Sequence, residues 1–137
     1  GLKLLSEKGR LCLIQPSSFL YNLQSHSFRR FVAQTGRVES VLDFTSVRGL
    51  YEGADPKTIA ILIGADTSSR FTHLTFRRTF RTAERIGFEL DHYDRHHLSV
   101  DEVVKDAKAA RANLLGGGRL ATVSSRLRVM RTLEQFV

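Results

Sequence analysis

The chain is short of several things, and each shortage narrows what it can be. Its 137 residues hold one cysteine, Cys12, so no disulfide can form within it. That cysteine sits in an apolar run, LCLI, and reads as a buried small hydrophobe in a reducing compartment. No signal peptide and no apolar run near the length of a membrane span is visible, which points to a cytoplasmic protein with no membrane partner. Nucleophile and phosphate-loop motifs are absent as well. There is no G-x-S-x-G, no H-E-x-x-H and no G-x-x-x-x-G-K-[ST]. The triple glycine in LLGGGRL follows a helical pattern rather than a strand, so it reads as a helix stop and tight turn. Asp43 and Glu52 have nothing to fix their separation and read as ordinary surface or loop acids.

Acidic residues are the other shortage. Lys and Arg number 21 against 14 Asp and Glu, a formal charge of +7. The excess is uneven: residues 1–66 carry 8 basic and 6 acidic side chains, residues 67–137 carry 13 and 8. Most of it is Arg, which suits bidentate contact with phosphates and base edges, so nucleic acid is the first partner to consider. A hydrophobic fraction of 42% and this length are enough for one folded domain with a core.

Along the chain, Leu2 to Lys8 reads as the last turns of a helix stopped by a left-handed Gly9. A chain that begins inside such a helix reads as a piece of something longer. Arg10 to Gln15 follows as a strand buried on both faces, as in a parallel sheet, and Pro16 ends it. Asn22 to Thr35 reads as a helix closed by Gly36. Leu20, Leu23, Phe28, Phe31 and Val32 fall mostly at helical spacing, and Arg29 and Arg30 lie off that stripe and read as solvated surface. Val38 to Phe44 is the next strand, and the β-branched run Thr58 to Ile63 is a central one. Between them SVRGLYEGADPK has turn chemistry at Gly49, Gly53 and Asp55-Pro56, and a tyrosine, Tyr51, at its middle.

Beyond Asp66, Thr67 to Arg70 reads as linker and Phe71 to Phe76 as a weakly alternating strand. The segment Arg77 to Arg85 then holds Arg77, Arg78, Arg81 and Arg85 around Phe80. Phe88 to Leu98 is irregular. Its cluster of Asp91, His92, Asp94, His96 and His97 has metal-ligand side chains but no metal-site spacing, so no metal is assigned and the cluster reads as a polar connector. Ser99 with Glu102 is a capping box opening a helix. Leu120, Val123, Leu127 and Met130 mark a last helix.

Taken together these segments resemble a known family. GRLCLIQPSSFL, with Gly9, the strand to Gln15, then Pro16, Ser17, Ser18, Phe19 and Leu20, resembles the fifth-strand segment of adenine-specific DNA methyltransferases of the restriction–modification type. FRRFVAQTGRVESVLDF is similar to their following helix and sixth strand, and LYEGADPKTIAILIGA to the loop and seventh strand. DHYDRHHL followed by ANLLGGGRL resembles the extension of larger fused members.

The resemblance implies an α/β fold: a fragment of a Rossmann-like methyltransferase sheet, its last strands partly antiparallel, followed by a mostly helical basic extension. The division falls at residues 1–66, the C-terminal part of the catalytic domain, and 67–137, leading toward a DNA target-recognition region. It implies methyl transfer from S-adenosylmethionine to the exocyclic amino group of adenine in duplex DNA, on a base flipped out of the helix. Tyr51 matches the aromatic that packs on that base. Arg48, Arg77, Arg78 and Arg81 are the positions expected to meet the DNA backbone. The family's N-P-P-[Tyr/Phe] motif and its glycine-rich cofactor turn are absent, the only prolines being Pro16 and Pro56. Both motifs normally lie upstream of the matched segment. No catalytic residue is therefore assigned in this chain, and S-adenosylmethionine, the parent protein's cofactor, is not expected to bind the fragment well or support transfer by it alone. Sheet edges left by truncation suggest self-association. Two alternatives use the same features: a non-catalytic DNA-binding or specificity module, and a fragment of an RNA methyltransferase.

Overall fold

The computed structural model describes residues 1–105 together with 123, 126, 127 and 129. The triple glycine and most of the last helical pattern lie outside the described residues. Among the described residues, seven strands and two α-helices make a mixed α/β fold: β1 Leu11–Pro16, α1 His26–Gln34, β2 Val38–Asp43, β3 Thr58–Ile63, β4 Arg70–Thr75, β5 Arg78–Arg81, β6 Ile86–Glu89, β7 Arg95–Ser99 and α2 Val100–Lys105. Five strands form one sheet in the order β1-β3-β2-β4-β7, and β5 and β6 form a separate two-stranded ribbon. No helix among the described residues is long and apolar enough to cross a membrane.

The direction of the strands decides where the loops collect. β3 runs antiparallel to both β1 and β2, so β1 and β2 are parallel to each other. β4 is parallel to β2, and β7 is antiparallel to β4. β1, β2 and β4 therefore all end at one end of the sheet, at Pro16, Asp43 and Thr75. The sheet takes strands from both sides of residue 66.

One sheet face carries the core. Ile59, Ile61 and Ile63 of β3 meet Val41 and Val38 of β2, Phe71 of β4 and Leu98 of β7, and Val32 and Ala33 of α1 and Val103 of α2 close over them. A fully buried aliphatic side chain contributes about 1.5–3 kcal/mol, which makes the isoleucine row of β3 the main source of cohesion. The other face presents Cys12 and Ile14 of β1 beside Leu62 and Ala60 of β3.

Several expectations need correction. Leu2–Leu4 is a single 3-10 turn rather than the end of an α-helix, and Gly9 does not take a positive φ. β1 is not buried on both faces; it is an outer strand, paired on one side only, whose residues alternate between half-buried and exposed. Cys12 is accordingly exposed. Asn22 caps a short 3-10 turn, Leu23–Ser25, and the α-helix starts only at His26. Arg29 is inside rather than solvated, at 4% exposure, while Phe28 and Phe31 are exposed. The buried stripe of α1 is Arg29, Val32 and Ala33, at the i, i+3, i+4 spacing of a helix face. Where a mostly helical extension was expected, residues 70–99 supply four strands. Both β6 and β7 fall in or beside the segment read as irregular.

Candidate nucleic-acid interface

Four connections meet at the end where β1, β2 and β4 terminate. They are the Ser17–Leu20 turn, the loop from Phe44 to Lys57, the β5–β6 ribbon, and the Asp91–Asp94 turn before β7. In open α/β sheets this end, beyond the carboxyl termini of the parallel strands, is the usual place for a ligand.

The loop is built from its base upward. Val47, 1% exposed, plugs it into the interior, and the Val47 N–H donates to the carbonyl of Phe44 at 2.9 Å. Gly49 (φ 61°) and Gly53 (φ 68°) take the left-handed conformation that ordinary side chains resist, which lets the chain reverse twice in five residues. Arg48 pairs with Asp55 across the loop, and Lys57 reaches the same carboxylate at 3.3 Å. The hydrogen bond from Arg48 leads the effects that hold the Asp55 carboxyl below its usual range. An isolated β-bridge joins Tyr51 to Ala54. The result is a closed loop with Tyr51 at its tip, its side chain part-exposed at 39%. The Ser17 N–H donates to the carbonyl of Lys57 at 2.7 Å, tying the turn after β1 to the loop's far end.

The ribbon is fastened to the same end by aromatics. Phe44 and Phe76 stack with centroids 4.7 Å apart and planes 4° from parallel, and Phe88 of β6 tilts onto both at 6.0 and 4.8 Å. On its outer face Phe80 lies opposite Gly87, where a Cβ would overlap the ring. Phe80 is more than half exposed.

The arginines expected to meet DNA are each engaged within the protein. Arg48 pairs with Asp55. Arg77 lies 3.7 Å from Asp94. Arg78 reaches Asp91 at 2.9 Å and Asp94 at 2.8 Å, and the bond to Asp94 is the main cause raising the Arg78 pKa. Arg81 donates to the carbonyls of Arg48 and Gly49, at 3.1 and 2.9 Å. The structure thus brings Tyr51, Arg48 and Arg81 together and sets Arg77 and Arg78 against the Asp91–Asp94 turn.

That turn explains the acid–histidine cluster. Asp91 accepts from the Tyr93 and Asp94 N–H groups, and Asp94 accepts from the Asp91 N–H, so the carboxylates hold the turn as well as the arginines. His97 contacts the Thr72 hydroxyl at 3.3 Å, and His92 packs against Tyr93. Among the described residues, no three His, Cys, Asp or Glu side chains are grouped to hold a metal ion.

Sequence reasoning missed a buried pair beneath the site. Asp43, read as a surface or loop acid, is 0% exposed, and its Oδ2 lies 3.2 Å from Nε2 of His73, itself 1% exposed. The signal was available: Phe71, His73 and Thr75 alternate along β4 on the inward face, which places His73 inside.

One cavity among the described residues is far smaller than S-adenosylmethionine needs. The cavity between α1 and the sheet, lined by Phe19, Val32, Val41, Phe71 and His73 among others, is about 40 Å³. Ligand pockets for such molecules run to hundreds of Å³. A larger open depression, about 450 Å³, lies toward the opposite end of the sheet, beside the Arg10–Glu39 pair.

No protein-family model matches this chain, and no curated protein matches it.

Proposed function

We propose that this chain is the C-terminal part of the catalytic domain of an adenine-specific, S-adenosylmethionine-dependent DNA methyltransferase of the restriction–modification type, and that Tyr51 stacks on the flipped adenine. The observation that carries the proposal is the Tyr51 loop. It is closed by the Arg48–Asp55 pair, anchored by Val47, and presents an aromatic ring at the end of the sheet where ligands of α/β folds sit. An aromatic held in this way stacks on any base at low entropic cost, since few rotors remain to be fixed.

The strand arrangement supports the same reading. A Rossmann-like methyltransferase sheet implies that the last strands form an antiparallel pair, and β2 and β3 are antiparallel neighbours, with the tyrosine loop between them. The chain's own contribution is one wall of a base pocket. Methyl transfer is assigned to residues of a longer protein, because the groups that would accept hydrogen bonds from the target amine and hold the cofactor are not among these.

Two experiments test this. Coding sequence upstream of Gly1 should contain an N-P-P-[Tyr/Phe] motif, and its absence would remove the basis for the methyltransferase assignment. In the longer protein, Tyr51→Ala should lower adenine methylation at least tenfold and Tyr51→Phe less than threefold, because stacking needs the ring and not the hydroxyl. Equal activity of wild type and Tyr51→Ala would sink the role given to Tyr51.

A further inference from the structure

Arg81 stands one residue from an exposed phenylalanine on an arginine-rich ribbon, a setting that suggests a phosphate contact. Its geometry says otherwise. The guanidinium bridges from β5 to the neighbouring loop and donates through one nitrogen to two successive carbonyls, those of Arg48 and Gly49. These carbonyls lie two and three residues before Tyr51. Gly49 makes room for this: a Cβ there would overlap the Arg81 guanidinium, and its φ of 61° disfavours any side chain independently. The ribbon is itself fixed to the sheet by Phe88 against Phe44 and Phe76, and Phe44 is the residue from which the loop departs. Arg81 therefore joins two elements that share one aromatic base, and closes the triangle at the top.

We propose that Arg81 is a positioning residue for the Tyr51 loop: it holds the loop's backbone so that the tyrosine ring is presented to a base, and it does not itself neutralise a DNA phosphate. The functional half of this rests on the reading that Tyr51 meets a base; the structural half does not. The ribbon thereby becomes part of the base-facing site, since any force that moves β5 moves the carbonyls beside Tyr51. Lysine at this position would keep the charge but offer no planar fork, so it should restore only part of the bracing.

The test has two arms. In the first, hydrogen–deuterium exchange is followed by mass spectrometry on the 137-residue chain as wild type, Arg81→Ala, Arg81→Lys and Arg85→Ala. Arg81→Ala should speed exchange of peptides covering residues 47–54 at least fivefold, Arg81→Lys should fall between, and Arg85→Ala and peptides covering β3 should not change. Unchanged exchange in Arg81→Ala would overturn the proposal. The second arm measures methylation and duplex binding in the longer protein against salt. The expected result for Arg81→Ala is a kcat at least tenfold lower, with the slope of log affinity against log salt unchanged. A slope smaller by about 0.9 would make Arg81 a phosphate contact and refute the assignment. Should the longer protein neither methylate nor bind DNA, the methyltransferase reading falls while the exchange arm still decides what Arg81 does to the loop.

Discussion

Replacing Arg29 with alanine should cost more stability than any change at a neighbouring surface arginine. Arg29 projects from the first turn of α1 into the interior and is 4% exposed. One of its terminal nitrogens, Nη1, donates to the carbonyl of Phe19 at 2.6 Å and to that of Asn22 at 2.7 Å. Burial pushes its pKa down, but a guanidinium starts so high that it stays charged at neutral pH. The two carbonyls belong to the turn that follows β1 and to the residue capping the next 3-10 turn, so one side chain ties three segments together. A hydrogen bond to a charged group contributes about 1.5–3 kcal/mol, and an acceptor left without a partner loses its hydration as well. Asn22 is exposed and water can replace one of the two bonds; the half-buried Phe19 carbonyl is harder to rehydrate. The expected loss for Arg29→Ala is about 2–4 kcal/mol. Urea denaturation reads it directly: at a slope of about 1–3 kcal/mol per molar, the midpoint should fall by at least about 0.7 M. Arg30→Ala, at an exposed position of the same helix, serves as the comparison and should stay within about 0.5 kcal/mol of wild type. If the two variants shift the midpoint equally, the buried role given to Arg29 is wrong.

Two further outcomes follow from other contacts. Ser99→Ala should destabilise the chain by about 1 kcal/mol in the same denaturation assay, because Ser99 Oγ accepts from the Glu102 N–H and Glu102 accepts from the Ser99 N–H, both at 3.0 Å; no loss would show that the reciprocal cap does not form in solution. His96 is held below its ordinary pKa, first by burial and then by His73. The unfolded chain therefore takes up the proton first, so stability is complete above about pH 6.5 and declines as pH falls from there toward the folded pKa. His96→Gln should flatten the fall in urea midpoint between pH 7.5 and 5.5, and an unchanged slope would assign the pH dependence to other groups.

Periodicity located the parts of the fold whose burial is decided by apolar residues. Val38–Asp43 was legible from its partial alternation and Thr58–Ile63 from its β-branched residues, and the central place of β3 followed from its nearly unbroken apolar run. β1 misled for the same reason. Four apolar residues in a row read as two-sided burial, yet an outer strand leaves one side chain in two facing away from the core, and Cys12 and Ile14 are those residues. β7 could not be seen. Arg95, His96, His97 and Ser99 offer no apolar pattern, and the strand exists because its backbone pairs with β4 and Leu98 reaches the core opposite Phe71. In α1 the reading was rotated by about one residue. Phe28 and Phe31 look like core, but Phe28 sits at the margin, edge-on to Phe19 at 5.6 Å, and a charged residue fills the inward position instead. A side chain that is buried by hydrogen bonding to carbonyls leaves no trace in hydropathy.

The site shows the same division between what composition reveals and what geometry decides. Glycines and turn residues announced the Tyr51 loop. The density of arginine announced a basic surface, and all four arginines nominated from it turned out to have acceptors within the protein. Three of those acceptor sets are carboxylates, and a guanidinium facing a carboxylate adds little net positive potential for a phosphate to meet. Arg85 at the end of the ribbon and Arg95 at the start of β7 stand differently. Their side chains are exposed and make no ion pair among the described residues, and both belong to the connections that gather around the ends of β2 and β4. Counting arginines therefore overstates the charge available at this end, and their partners sort them. Those held by Asp55, Asp91 and Asp94, together with Arg81 on the carbonyls of Arg48 and Gly49, shape the loops, and Arg85 and Arg95 give the surface its field. If duplex DNA is the partner, the salt dependence of binding should reflect the second set, at about 0.9 in the slope for each phosphate neutralised.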